Sequence, residues 1–181
     1  QVDEKDNYTY RHCRNVMRYS VKILRRLLGD SASFDNLVVA SLFHDVGKCF
    51  VPDEILQKQS TLTRAEFQRM MRHSMDSARL LVPKFGKEIA DIARSHHERL
   101  DGSGYPFGLS GDEISLESRI ISVADSFDAM TTKRPYNTVK TYEEAASELL
   151  GLPEQYDCTI CAILKELVDA GEIPGTEDTR E

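Results

Sequence analysis

The chain has 181 residues, 40% of them hydrophobic, and this length and composition favour a single globular domain with a substantial core. Its formal net charge of −7 excludes general binding to nucleic-acid backbones, which requires a basic surface. No run approaches the roughly 20 apolar residues of a membrane span, and no signal-peptide pattern is present, so we expect no membrane segment in this chain. Because the chain begins with Gln1 rather than methionine, we expect a regulatory or sensor region upstream.

The first part of the chain predicts two helices. Residues 1–6 are polar and are expected to form a frayed N-terminal segment. A stripe of apolar residues at helical spacing predicts a helix over residues 7–28. The next helix, predicted over residues 34–46, is apolar on most sides, which is typical of a helix at the centre of a helical domain. Gly47 is expected to end it, since glycine is common at helix C-termini.

Capping signals and a proline divide the middle of the chain. Thr63-x-x-Glu66 matches a capping box and predicts the start of a helix. Pro83 is expected to separate this helix from the following one. The second of these helices carries an apolar face that extends to His96, where a glycine-rich loop begins.

The remaining part of the chain also predicts helices. Ser115 and Thr141 are expected to begin two of them, and a last helix is predicted over residues 158–170. No alternating strand pattern and no internal repeat is present. The sequence therefore predicts an all-α bundle over residues 7–170, followed by a polar tail over residues 171–181.

The four cysteines do not indicate a disulfide framework, since the chain is neither short nor rich in cysteine. Cys158-x-x-Cys161 lies in a helical pattern, and two reduced cysteines on the last helix are favoured over a redox or zinc pair. Cys49 follows Lys48 and is interpreted as a packing residue. Reduced thiols are typical of a cytoplasmic protein, so we expect that location.

Histidines and one aspartate indicate a metal site. The chain has five histidines, and helical spacing turns His96 of the His96–His97 pair towards the core, where an unpaired imidazole is costly. Asp45 follows His44 at a predicted helix C-terminus, where a negative charge opposes the helix dipole. A bound cation would remove both conflicts. The wide spacing predicts ligands from several packed helices rather than a zinc finger.

Six segments carry a resemblance to a known family. They are HDVGK (44–48), VPDEIL (51–56), LTRAEFQRMMRH (62–73), HHERLDGSGYP (96–106), GDEISLESRIISVADSFDAMT (111–131) and RPY (134–136). In order and spacing they resemble the HD-GYP phosphodiesterases, a branch of the HD superfamily of metal-dependent phosphohydrolases. The resemblance covers roughly residues 8–165 and implies a multi-helix HD-type bundle with a metal centre in its core. It also implies a bacterial enzyme that hydrolyses cyclic di-GMP through a metal-bound hydroxide, to pGpG and/or GMP.

The resemblance further implies a binuclear centre with two divalent metal ions, of which iron or manganese suits mixed imidazole and carboxylate ligands. The ligands expected for the first ion are His12, His44, Asp45 and Asp125. The ligands expected for the second ion are His73, His96, His97 and, as a bridge, Asp45 again. Bridging suits a carboxylate because it has two oxygens.

Catalytic and substrate-binding roles also follow from the resemblance. Asp45 and Lys48 are expected to act in catalysis, with Lys48 on the scissile phosphate. Arg134 is expected to bind substrate phosphate, since a guanidinium fork matches two oxygens. Tyr105 is expected to line the substrate pocket, while the GYP loop can equally serve as a contact for a partner protein. Asp128 is expected to support the centre without binding metal.

Two positions depart from the family pattern. Tyr8 stands where some relatives have a glutamate that binds a third metal, so two metals are predicted here. Asn137 stands after RPY, where a basic residue is common, and this leaves open a weakly active or inactive sensor or binding module. A phosphodiesterase for another cyclic dinucleotide is a further alternative, because the walls of a pocket, and not its metal ligands, select the base.

Overall fold

The computed structural model describes residues 7–30, 32–132 and 138–173, and these ranges contain seven α-helices and two short 3-10 helices. The α-helices are α1 (Asn7–Leu28), α2 (Asp35–Phe43), α3 (Asp53–Leu56), α4 (Arg64–Arg94), α5 (Leu116–Thr131), α6 (Tyr142–Leu150) and α7 (Cys158–Asp169). The 3-10 helices are Val46–Phe50 and Gly111–Glu113. The described ranges contain no β-strand, so the predicted all-α fold is confirmed. None of the described helices is long and apolar enough to span a lipid bilayer.

The apolar core is centred on α5, which packs against α1, α6 and α7. Phe127 of α5 is fully buried, and its ring centroid lies 5.3 Å from that of Tyr19 and 5.1 Å from that of Tyr142. Ile23 of α1 and Leu164 of α7 are also fully buried. Burial of such side chains stabilises a fold by about 1.5–3 kcal/mol each. This packing fixes the relative positions of α1 and α5, which both contribute to the polar cluster described below.

Helix caps predicted from the sequence are confirmed. The Thr63 side chain accepts a hydrogen bond from the backbone N–H of Glu66, whose carboxylate accepts from the Thr63 backbone N–H at 2.7 Å. Ser115 caps α5, and Thr141 caps α6 with a capping box of its own. Each cap satisfies backbone donors that a helix N-terminus leaves without partners.

The predicted end of the second helix is wrong. α2 ends at Phe43, and a separate 3-10 helix follows over Val46–Phe50, so Gly47 does not terminate α2. Gly47 is required for a different reason, which is the close approach of this 3-10 helix to α4. A Cβ atom at Gly47 would lie 2.1 Å from the carbonyl oxygen of His73, far inside van der Waals contact.

The predicted break between two helical segments is present, but it does not lie at Pro83. α4 continues through Pro83 and leaves helical geometry at Gly86, which has φ 84° and ψ 173°. A proline removes one backbone donor, whereas a residue with positive φ redirects the chain, and glycine adopts positive φ without steric cost. The kink therefore lies three residues after the proline, and α4 ends at Arg94, shortly before His96.

Candidate metal centre

Seven polar side chains meet where α1, α4 and α5 pack around the segment after α2. They are His12 of α1, His44 and Asp45 after α2, His73 of α4, His96 and His97 after α4, and Asp125 of α5. The structure thus brings together all the residues predicted as ligands. The side chains of His97 and Asp125 are 18% and 13% exposed, while the other five residues are almost completely buried. The cluster is therefore open to solvent on the side of His97 and Asp125.

Asp45 lies at the centre of the cluster, and its two carboxylate oxygens face different histidines. Oδ2 lies 3.5 Å from Nε2 of His44 and 3.7 Å from Nε2 of His12. Oδ1 lies 3.2 Å from Nε2 of His73 and 3.9 Å from Nε2 of His96. Two groups of potential ligand atoms, each within 4.8 Å, lie on either side of it: His12, His44 and Asp125, and Asp45, His73, His96 and His97. A carboxylate in this position can bridge two cations.

Backbone carbonyls orient three of the imidazole rings. The Nδ1 atoms of His44, His73 and His96 each lie 2.6–2.7 Å from the carbonyl oxygen three residues earlier in the chain. Because a carbonyl only accepts, Nδ1 carries a proton in each ring, and in a neutral ring Nε2 then carries a lone pair. This tautomer suits a metal ligand, and the hydrogen bond from the second ring nitrogen holds the ring in place.

A carboxylate orients the remaining buried ring. Nδ1 of His12 lies 2.6 Å from Oδ2 of Asp128, which is itself fully buried. The other oxygen of Asp128 accepts a hydrogen bond from Nδ2 of Asn15 at 2.9 Å. Nε2 of His12 faces Oδ1 of Asp125 at 3.1 Å. Asp128 therefore holds the His12 ring in the orientation that presents Nε2 to the cluster.

The chemistry of the cluster fits divalent cations. Within the described ranges, Nε2 of His44, His73 and His96 and Oδ1 of Asp45 are buried and have no hydrogen-bond partner. Burying such atoms is costly, and imidazole lone pairs that face carboxylate oxygens repel them. Cations bound in the two groups would accept electron pairs from these nitrogen and oxygen atoms and so satisfy all four.

The electrostatics of the cluster keep most imidazoles neutral and the carboxylates ionised. Burial lowers the pKa of His44 and of His97, and it lowers the pKa of His96 to about 3. Burial opposes ionisation of Asp45 and Asp125, but the Lys48 ammonium beside Asp45 and the hydrogen bond from His12 to Asp125 outweigh it and hold the pKa of both carboxyls well below the usual range. Neutral imidazoles and ionised carboxylates are the forms that bind metals.

His12 differs from the other rings in its protonation. Burial lowers the pKa of His12, but hydrogen bonds with Asp125 and Asp128 outweigh it and raise that pKa to about 9. Without a metal ion, a proton on Nε2 therefore lies between His12 and Asp125. Binding of a cation at Nε2 requires the loss of this proton. The carboxylates of Asp125 and Asp128, which stabilise the positive charge of the protonated ring, would also stabilise a bound cation.

Glu98 holds the loop that follows His97. The side chain is 2% exposed, and its two carboxylate oxygens accept from the backbone N–H groups of Phe107 at 2.8 Å and Leu109 at 3.0 Å. Gly104 of the same loop lies against the backbone, where a Cβ atom would be 2.4 Å from the carbonyl oxygen of His97. The loop therefore has a defined position beside the cluster.

Two further residues predicted to bind substrate lie beside the cluster. The Tyr105 ring centroid is 4.6 Å from that of His97 and 6.2 Å from that of the half-exposed Phe67. Nζ of Lys48 donates to Oδ2 of Asp45 at 2.5 Å. Arg134 and Asn137 lie outside the described residues, as do the side chain of Tyr8 and most of the predicted polar tail.

Sequence reasoning missed several contributors to this centre. Asn15, which donates to Asp128, lies three residues after His12 in α1. This spacing places both side chains on the same face of the helix and was the signal in the sequence that could have identified Asn15. The thiol of Cys13 also lies within 4.8 Å of potential ligand atoms of His44 and Asp45. The role of Glu98 could not be predicted from the sequence, because its partners are the backbone N–H groups of Phe107 and Leu109 and backbone groups leave no sequence pattern.

The fold and this cluster define a helical protein with a candidate divalent-metal centre. Its residues 2–160 match the family described as HD domain, and the chain belongs to this family. Similarity to curated and solved proteins confirms the resemblance to HD-GYP phosphodiesterases that the sequence motifs indicated.

Two curated relatives illustrate the similarity. A Vibrio cholerae protein named 3'3'-cGAMP-specific phosphodiesterase 1 is 42% identical over 136 residues, covering 75% of this chain and 32% of the relative. A Thermotoga maritima protein named cyclic di-GMP phosphodiesterase is 37% identical over 184 residues, covering 97% of this chain and 50% of the relative. The chain therefore spans half or less of these relatives.

A solved structure supports the fold. A Bdellovibrio bacteriovorus protein, described as an HDG"Y"P protein, superimposes with a TM-score of 0.74 at 20% identity. The alignment covers 91% of this chain and 53% of that protein.

Proposed function

We propose that this chain is the catalytic domain of a metal-dependent cyclic di-GMP phosphodiesterase. The observation that carries the proposal is the position of Asp45, whose two oxygens face separate histidine groups. A carboxylate in this position can bridge the two ions of a binuclear centre, and a pair of metal ions suits phosphodiester hydrolysis. The relatives named phosphodiesterases support the same reaction.

The proposed centre holds two divalent ions, iron or manganese. The residues that would hold the first ion are His12, His44, Asp45 and Asp125. Those that would hold the second ion are Asp45, His73, His96 and His97. When bound, the ions would polarise the phosphodiester and lower the pKa of water near it. The partial exposure of His97 and Asp125 leaves one side of the centre accessible to substrate.

The remaining assignments concern side chains that contact the substrate. Lys48 lies against Asp45 and is 24% exposed, so its ammonium group can turn from that carboxylate to a phosphate oxygen. Tyr105 would form a wall of the pocket beside His97. Arg134 is proposed to bind a phosphate group because of its place in the RPY motif. The products would be pGpG and/or GMP.

A second substrate is favoured by a specific observation. The Vibrio cholerae relative named for 3'3'-cGAMP is as similar to this chain as the relatives named for cyclic di-GMP. Both molecules contain the same kind of phosphodiester ring and differ in one base. Hydrolysis of 3'3'-cGAMP is therefore the alternative within the same reaction.

The test is turnover by the anaerobically purified chain, loaded with iron(II) or manganese(II). Chromatography would follow loss of cyclic di-GMP and of 3'3'-cGAMP, with Asp45→Ala as the inactive control. We expect pGpG or GMP from cyclic di-GMP at a rate far above that control. Turnover of both dinucleotides no faster than the Asp45→Ala variant would reject the enzyme and favour a binding or sensor module.

A further inference from the structure

The outer surface of α4 carries a concave groove. Its cavity of about 340 Å³ is lined by residues of α4 and by the end of the 3-10 helix that follows Asp45. Arg69, Arg72 and Arg79 line the groove at helical spacing, together with the exposed ring of Phe50. A volume of this size lies at the lower end of the range found for small-molecule sites.

The charge of the groove contrasts with that of the whole chain. Three guanidinium groups and one carboxylate line it, which leaves an excess of two positive charges, whereas the chain has a formal net charge of −7. Asp76 pairs with Arg79 at 3.1 Å. Arg69 and Arg72 make no hydrogen bond or ion pair with the residues that the structure describes. Their guanidinium groups are therefore available to an anion.

The groove is separate from the metal centre. Arg72 immediately precedes His73 on α4 and, with 3.6 residues per turn, its side chain projects about 100° away from that of His73. His73 is 1% exposed and faces the cluster, whereas Arg72 is exposed on the outer side of the helix. No residue assigned to metal or substrate in the proposed function lines the groove.

We propose that this groove binds a small phosphorylated molecule with a planar ring, of the mononucleotide class. Arg69 and Arg72 would hold the phosphate, because guanidinium groups form paired, charge-assisted hydrogen bonds with phosphate oxygens. Phe50 provides an exposed aromatic face on which a base can stack. Asp76 holds Arg79 at the edge of the groove. This site does not depend on the proposed phosphodiesterase activity.

The experiment is calorimetric titration of the metal-loaded chain with GMP, inorganic phosphate and guanosine. The double variant Arg69→Ala/Arg72→Ala removes the phosphate contacts, and Arg64→Ala, an exposed arginine on the same helix outside the groove, is the matched control. We expect the double variant to lose one bound GMP per chain or to bind it about tenfold more weakly, with the Arg64→Ala variant unchanged.

The remaining ligands and variants identify the chemistry. Inorganic phosphate should compete with GMP for the same site, guanosine should bind far more weakly, and Phe50→Ala should weaken GMP without affecting phosphate. Circular dichroism would establish that each variant is folded. GMP binding that is equal in the double variant and the Arg64→Ala control, or guanosine binding as tight as GMP, would overturn the proposal. An unmodified chain that binds no GMP outside the metal centre would overturn it as well.

Discussion

His12 and Asp128 are 116 positions apart in the chain, yet Nδ1 of the imidazole lies 2.6 Å from a carboxylate oxygen in the buried interior. The contact joins α1 to α5 and fixes which nitrogen of His12 faces the candidate metal centre. The cluster thus depends on packing between helices that are far apart in the chain, and not on its potential ligands alone.

We expect Asp128→Asn to weaken metal binding by about 10–100-fold, because the amide can no longer hold His12 in the required tautomer as a carboxylate does. Equilibrium dialysis followed by metal analysis would measure the change. Asp91→Asn is the control, since Asp91 forms only exposed ion pairs on α4. Equal metal affinity in the two variants would show that Asp128 has no role in the centre.

Glu98→Gln should destabilise the loop after His97. A glutamine offers one side-chain acceptor to the N–H groups of Phe107 and Leu109, and a buried donor without a partner costs about 1–3 kcal/mol. Hydrogen exchange at these two amides should become faster than in the unmodified chain. Glu143→Gln, on an exposed position of α6, is the matched control, and unchanged protection of both amides in Glu98→Gln would contradict the assigned role.

Gly47→Ala should lower the free energy of unfolding by about 3 kcal/mol or more, because its Cβ would overlap the backbone of α4. Denaturant titration would measure this loss. Gly151→Ala serves as control, since Gly151 has an ordinary φ of −78° and its nearest Cβ contact would be 3.3 Å. Equal stability of the two variants would contradict the close approach of the 3-10 helix to α4.

Lys48→Ala should reduce kcat by about 100-fold or more while the chain retains its metal ions, because the variant lacks a cation for the phosphate charge that develops during hydrolysis. Steady-state kinetics and metal analysis on the same sample would separate these effects. Lys84→Ala removes an exposed lysine from α4 and should leave kcat unchanged. If the variant lost its metal ions together with its activity, the role of Lys48 would instead be to hold Asp45 in place through their hydrogen bond.

The sequence predicted the helices whose signals are local, and failed where the cause was a contact between distant segments. Thr63 and Thr141 begin helices because their caps lie within three residues. The role of Gly47 depends on the carbonyl of His73, and no local pattern indicates that approach. Pro83 was a strong local signal, yet the break occurs at Gly86, where positive φ redirects the chain.

The same distinction applies to the candidate centre. His96 and Asp45 were recognisable because a buried unpaired imidazole and a carboxylate at a helix C-terminus conflict with their surroundings. The arrangement of histidines around the two oxygens of Asp45 arises from four separate segments, and only the family resemblance suggested it in advance. The hydrogen bond between Asn15 and Asp128 arises from helix packing and was not predicted.

We propose that the cluster binds two divalent ions bridged by Asp45. The most direct test is the number of metal ions per chain after anaerobic loading with iron(II) or manganese(II), measured by plasma mass spectrometry beside Asp45→Ala. We expect two ions in the unmodified chain and fewer in the variant. A folded, unmodified chain that retains no metal, or that binds as much metal as the variant, would contradict it.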